Sequence, residues 1–278
     1  MTLTAPPDLR RPRPAPPSGV QLFRAALRSE WTKMRTVRST MWSLLVTVVI
    51  IVGLGALFCA ARVSRWDHLD PGELRNFDPA GFSLNGIFLA QLAVGVLGVL
   101  VMSSEYATGQ IRATLGAIPQ RPLVLAAKTV VFGAVVLVVG LIACLISFEI
   151  GQSIFAAKHA GVSLGDPDVT RVVIGGGLYL AAVGLLGLGL AAILRRTAGA
   201  IATLVGLLLV VPILVNFLPS PWNDDIAKYL PGEAGGSIFH VVQRSSTALS
   251  PWAGFAVLCA YAVAALLVGA IFLDRRDA

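Results

Sequence analysis

Six stretches of this chain are almost free of charge, and each is about as long as a lipid bilayer is thick. A helix of roughly 20 residues, rising about 1.5 Å per residue, crosses the hydrocarbon core. In lipid every backbone N–H and C=O must be paired within the segment, so runs of this length fold as helices. They predict spans over about 42–60, 82–102, 129–157, 172–194, 201–218 and 252–273. Charged residues make up 13% of the 278, and mean hydropathy is +0.78. A water-soluble domain carries about 25% charged residues, so a soluble fold is excluded.

Six crossings return both termini to the same side. Fifteen of the 22 basic residues then fall on that side and seven on the other. The positive-inside rule makes the terminal side cytoplasmic, and the net charge of +7 reads as topology rather than as a nucleic-acid footprint. The expected architecture is an all-α integral membrane protein with six transmembrane helices and both ends inside. It divides into a disordered Pro/Arg-rich tail over 1–19, an amphipathic interfacial helix over 20–40 and the six-span body over 41–278.

The tail, "PPDLRRPRPAPPSG", shows no signal-peptide pattern. Beyond it, Val20, Phe23, Leu27, Trp31, Met34 and Val37 fall on one side of a helix, with Arg24, Arg28 and Arg35 along its flank. Basic residues beside an apolar stripe suit a helix lying at the lipid headgroups or packed on the bundle's own inner side. Arg24, Arg28, Trp31 and Arg35 are the expected lipid contacts. Cys59, Cys144 and Cys259 all lie in apolar runs and read as core residues. His68, His159 and His240 are far apart, so no metal site is expected.

Within the spans Glu149 is the one ionisable group. Its place near the outer boundary suits an interfacial carboxylate, or a gate or contact for a cationic substrate on a translocation path. Asn85 and Gln91 are candidates for lining a translocation path or for bonding between helices. Glycines recur at Gly95, Gly98, Gly184, Gly187 and Gly189 and predict close helix packing. On the outer side, Ser220 and Pro221 open a short helix that Leu230-Pro231-Gly232 ends.

One inner connection is long. It contains "SSEYATGQIRATLGAIPQRP" and runs over 103–128. Ile111, Leu115 and Ile118 share a helical face, predicting a short helix over 110–115. This stretch, with Glu105, Gly109, Ile111, Arg112, Leu115, Pro119, Arg121 and Lys128 at their spacings, resembles the permease subunits of type 2 ATP-binding cassette (ABC) exporters of actinobacterial style. Gln110 stands where that family usually has Thr.

The resemblance implies that this stretch is a coupling helix carrying ATP-driven closure of a separate ATPase to the spans. Glu105, Tyr106, Gly109, Gln110, Ile111, Arg112 and Leu115 would be the docking residues. It also implies two copies of an ATP-binding subunit, a second permease copy or paralogue, and residence in the bacterial cell membrane. No GxxxxGK[ST] occurs in the chain, so ATP and Mg are expected on the partner and no cofactor here. A membrane enzyme would need convergent catalytic groups that the spans lack. A sensor that signals without bulk transport is the alternative.

Overall fold

The computed structural model describes residues 18–117, 120–242 and 247–275, so most of the expected tail over 1–19 lies outside the described residues. Everything regular among the described residues is helical, and six helices are long and apolar enough to cross a membrane. Two helices open the chain, α1 (Gly19–Thr36) and the first span α2 (Arg38–Ser64). Ser18 and Gln21 form a capping box that starts α1. Two short helices follow, α3 (Pro71–Arg75) and α4 (Pro79–Ser83), before the second span α5 (Ile87–Ala107). The connection after α5 holds α6 (Gln110–Ala117), and α7 (Arg121–Phe155) and α8 (Val169–Leu194) are spans three and four.

The fifth span is α9 (Thr197–Val205), a π-helical turn (Gly206–Val210) and α10 (Val211–Asn216). Pro212 has no N–H to give, and its ring crowds the carbonyl four residues back, so the wider turn before it accommodates the proline. After α11 (Trp222–Ala227) and α12 (Pro231–Gly236), the sixth span α13 (Pro251–Arg275) ends the described chain.

All six predicted spans are present with shifted ends. The second starts later than expected, because Phe82 belongs to α4 and the chain bends through Leu84 to Gly86 before α5. Asn85 therefore sits in that bend, not in the span. Span two ends later and span three begins earlier, so the long inner connection shrinks to 108–120. In the outer segment Pro221 occupies the N-cap of α11, and the Ser220 side chain makes no cap bond. Pro231 opens a second helix rather than merely stopping the first.

At the centre is α8, packed on α5, α7 and α13. Its apolar window is 72% buried, more than in any other span. Small residues make this position attainable, since glycines let helices meet backbone to backbone where lipid offers no hydrophobic drive to associate. The outer surfaces of the spans carry Phe88, Val138, Ile142, Ile213 and Leu267, all exposed. A water-facing surface would not be built this way, and the chain is a membrane protein by the length and composition of these helices.

At the bundle end away from α1, two connections clasp each other. The Asp78 carboxylate accepts from the backbone N–H groups of Gly81 (2.9 Å) and Val241 (2.7 Å). Arg171 donates to the carbonyls of Ile238 (2.8 Å) and His240 (3.2 Å). Phe77, Phe155 and Trp66 pack edge to face around the same end, and Arg62 stacks over Phe77.

Candidate functional site: a buried charge cluster at the root of α6

Four charged side chains from three helices meet beside the short α6. Lys128 Nζ lies 2.6 Å from Glu30 Oε2 and 2.9 Å from Glu105 Oε1. Lys33 Nζ lies 2.7 Å from Glu30 Oε1 and 2.6 Å from Glu105 Oε1. Lys128, Glu105 and Glu30 are nearly fully buried at 2%, 3% and 4% exposure, while Lys33 is partly open. Two lysines balance two carboxylates, so the cluster is neutral as a unit, and every bond in it is a short charge-assisted one.

Local sequence explains how each group arrives. On α1, Phe23, Ala26, Leu27, Glu30 and Met34 turn inward, and Ala26 packs with Val124 and Ala127 at the start of α7. The buried face is thus rotated from the expected stripe, leaving Val20, Trp31 and Val37 exposed. Glu30 rides inward on this face, and Lys33 follows one turn later. Glu105 is on the last turn of α5. Lys128 is two turns inside α7, on the same side as the buried Val124 and Leu125.

Further polar ties gather the remaining spans at this end. Arg121 donates to the Leu273 carbonyl (2.9 Å) and Arg195 to that of Phe272 (2.8 Å), so two cations hold the C-terminal end of α13. Arg195 also lies over the Tyr106 ring at 5.3 Å. Thr197 Oγ1 meets Ser103 Oγ at 3.0 Å, joining α9 to α5. Between α5 and α6, Gly109 turns the chain at φ +70°, a conformation that a side chain would disfavour.

These contacts redistribute the expected docking residues. Glu105 and Tyr106 belong to the end of α5, and Glu105 points into the cluster rather than outward. Ile111 is buried at 3%, so it anchors α6 instead of forming an outer ridge. Gly109 and Gln110 are exposed, and Thr114 is partly so. The side chains of Arg112 and Leu115 lie outside what the structure describes, as do Ile118 and Pro119. Arg24, Arg28, Trp31 and Arg35 do share the outward side of α1, with Arg35 6.0 Å from the Trp31 ring.

Glu30 and Lys33 are the members that the linear pattern does not mark, and Lys128 enters it only as part of the family motif. The available signal was a charge within an apolar run at each of two neighbouring span ends, Glu105 and Lys128, with an acid and a base one turn apart in the preceding helix.

The candidate path residues separate. Asn85 and Gln91 both line a cavity of about 140 Å³ at the opposite end of the bundle. Gln91 accepts a hydrogen bond from Tyr179 there. Glu149 does not reach it. It lies on the exposed stripe of α7 with Ile142, Leu145 and Ile146, about 9 Å along the helix from Phe155. Among the described residues no group of three or more metal-ligating side chains assembles.

Burial depresses the Lys33 pKa, but its hydrogen bonds to Glu105 and Glu30 and their charges outweigh it and hold it above the ordinary 10.5. A raised folded-state pKa stabilises fully below the unfolded value and is lost as pH rises through the folded one. The groups facing Lys33 are Glu30 and Glu105, with Lys128 behind them. The stability gap between the native chain and Lys33→Met should therefore be constant from pH 8 to 10 and shrink above about 10.5. Unfolding midpoints of both chains across that range check this. A gap that stays unchanged to pH 11.5 overturns it.

A scan against protein-family models finds no match to this sequence, and a search of curated proteins finds no match either.

Proposed function

We propose that this chain is the permease subunit of an ABC exporter, moving a hydrophobic or amphipathic small molecule, lipid or peptide with energy from ATP hydrolysed on a separate chain. The observation that carries the reading is the buried charge cluster. It binds α1, the end of α5 and the start of α7 into one block at the two ends of the 108–120 connection. A push on α6 is then delivered to two spans and α1 together rather than dissipated in a loose loop. A small shift at such a block moves packed helices as rigid bodies.

In this reading the α6 end is cytoplasmic, as the distribution of basic residues requires, and α6 is the coupling helix. The outward face of α1, with Arg24, Arg28, Trp31 and Arg35, rests at the inner lipid headgroups. Two such permeases, or this chain and a paralogue, face each other above two ATP-binding subunits, which hold ATP and Mg.

The roles of the loop residues then differ. Glu105 and Ile111 hold α6 in place, Gln110 and Thr114 meet the ATPase, and Arg112 is taken as a docking residue from the family motif alone. The test is co-purification of the ATP-binding protein encoded beside this chain. Native permease retains it, and Gln110→Trp and Arg112→Glu reduce retention at least tenfold with membrane insertion unchanged, a loss of roughly 1.4 kcal/mol. If no ATPase is retained under any nucleotide condition, the transporter reading fails. Retention with ATP turnover but no flux in proteoliposomes would make the chain a sensor instead.

A further inference from the structure

The cavity that holds Asn85 and Gln91 lies between the start of α5, α8, the π-helical turn, α11 and α12. Its floor and inner wall are apolar, with Leu84, Ile87, Leu208 and Phe239 each less than 9% exposed. The buried Gln91 and Tyr179 side chains face it as a bonded pair. Deep apolar walls with a few fixed polar groups are the makeup of a small-molecule site.

The charged groups lie on one side of this cavity. Asp224 comes from α11 and Glu233 from α12, and both line it. Neither carboxylate lies within ion-pair distance of a cation among the described residues, although Asp224 acts on Lys228 through space. Lys228, also in the lining, spends its charge on Asp225 at 2.8 Å. Arg171, just behind the wall, is engaged by Asp168 and by backbone carbonyls. His240 is 3.8 Å from Asp78. Among the described residues the lining therefore sets two carboxylates against one lysine. The Tyr179 and Phe239 rings, packed edge to face at 5.1 Å, also line it.

We infer that this cavity binds a monovalent organic cation with an apolar body, an amine or quaternary ammonium amphiphile. Asp224 and Glu233 supply the counter-charge, and Leu84, Ile87, Leu208 and the edges of Tyr179 and Phe239 the apolar seat. Among the described residues an organic anion would meet two carboxylates and one lysine that is itself paired with Asp225. The inference rests on the transport reading and names the substrate class of that reading.

The walls suggest a clean way to close the site. A Cβ at Gly232 would meet nothing nearer than the Leu208 carbonyl oxygen at 3.7 Å, with the Tyr179 hydroxyl at 3.9 Å. A β-carbon at 232 therefore meets only ordinary van der Waals contacts, and a leucine there adds bulk beside Leu208 and Tyr179.

The experiment is equilibrium binding to the purified full chain in nanodiscs at pH 7.5, with no ATPase present. The probes are benzyltrimethylammonium, its neutral carbon isostere and benzenesulfonate. The cation is expected to bind saturably and at least tenfold more tightly than either other probe. Asp224→Asn and Glu233→Gln should each weaken it about tenfold, the effect of losing one charged contact. Gly232→Leu should abolish binding. Glu233 is exposed, so its variant tests the site without risk to folding.

Equal binding of benzenesulfonate, or cation binding indifferent to both carboxylates and to Gly232→Leu, overturns the inference. Cation binding that persists while no ATPase ever co-purifies sinks the transport reading and leaves the site standing. A retained ATPase with no cation binding does the reverse.

Discussion

Lys128→Ala is expected to cost the folded chain about 3–5 kcal/mol, the penalty for removing one partner of a buried ion pair. The size follows from what is left behind. Lys128 is 2% exposed and bonds both Glu30 and Glu105. Without it two buried carboxylates share the single, partly open Lys33. Charges cut off from water and from a partner are far more costly than exposed ones, where a lost pair is worth at most about 1 kcal/mol.

The paired change Lys128→Met with Glu30→Leu removes one charge of each sign and leaves Lys33 with Glu105. It should recover at least half of the loss, because the remaining pair is neutral and apolar groups fill the vacated space. Reversible unfolding in mixed micelles measures all three chains. A cost under about 1 kcal/mol for Lys128→Ala would mean that the cluster is wet and behaves as a surface pair. The same variants report on coupling under the proposed function. A block loosened between α1, α5 and α7 should uncouple substrate-stimulated ATP hydrolysis even where the ATPase stays bound.

The second large effect lies at the crossing of α5 and α8. A Cβ on Gly98 would sit 2.1 Å from the Gly184 carbonyl oxygen, and one on Gly187 would sit 2.3 Å from the Gly95 carbonyl oxygen. Both obstacles are backbone, so no side-chain rotation relieves them. Gly98→Ala forces the two helices apart and should cost about 1–3 kcal/mol, as overpacking does, and Gly98→Leu should prevent assembly of the bundle.

Gly53 is the matched control, since a Cβ there meets nothing within 4 Å. Gly53→Ala should leave stability unchanged or raise it by up to about 1 kcal/mol through helix propensity. Gly98→Ala combined with Gly187→Ala should cost less than the sum, because helices once parted accommodate the second methyl. Equal effects at Gly98 and Gly53 would show that α5 and α8 do not touch backbone to backbone.

The two sites differ in how far the linear pattern reaches them. Gly95, Gly98, Gly184 and Gly187 announce close packing by their type and frequency, yet nothing in their spacing says that Gly98 faces Gly184. The charge cluster is less legible still. Glu30 to Lys128 spans 98 positions and Lys33 to Glu105 spans 72, and the inward face of α1 keeps Phe23, Leu27 and Met34 of the expected stripe but turns toward Ala26 and Glu30 and away from Trp31. In isolation, the Trp31 stripe is the more apolar face of that helix. Packing on Val124 and Ala127 chose the other.

The cavity shows the same division. Asn85 and Gln91 were singled out as polar residues near an apolar run, and they do share a wall. Asp224 and Glu233 lie in the outer connection and Tyr179 in the fourth span, and nothing in the linear pattern brings them to one wall.

Composition and run length determine that six helices cross a membrane, because hydrocarbon tolerates only segments that satisfy their own backbone and leave charge outside. That constraint is local, acting residue by residue along about 20 positions. Tertiary structure alone decided which charges would leave the surface and meet, which face of α1 would be buried, and where two carboxylates would front an apolar cavity. Those outcomes depend on helices far apart in sequence arriving together. A buried charge is tolerable only when its partner is already in place.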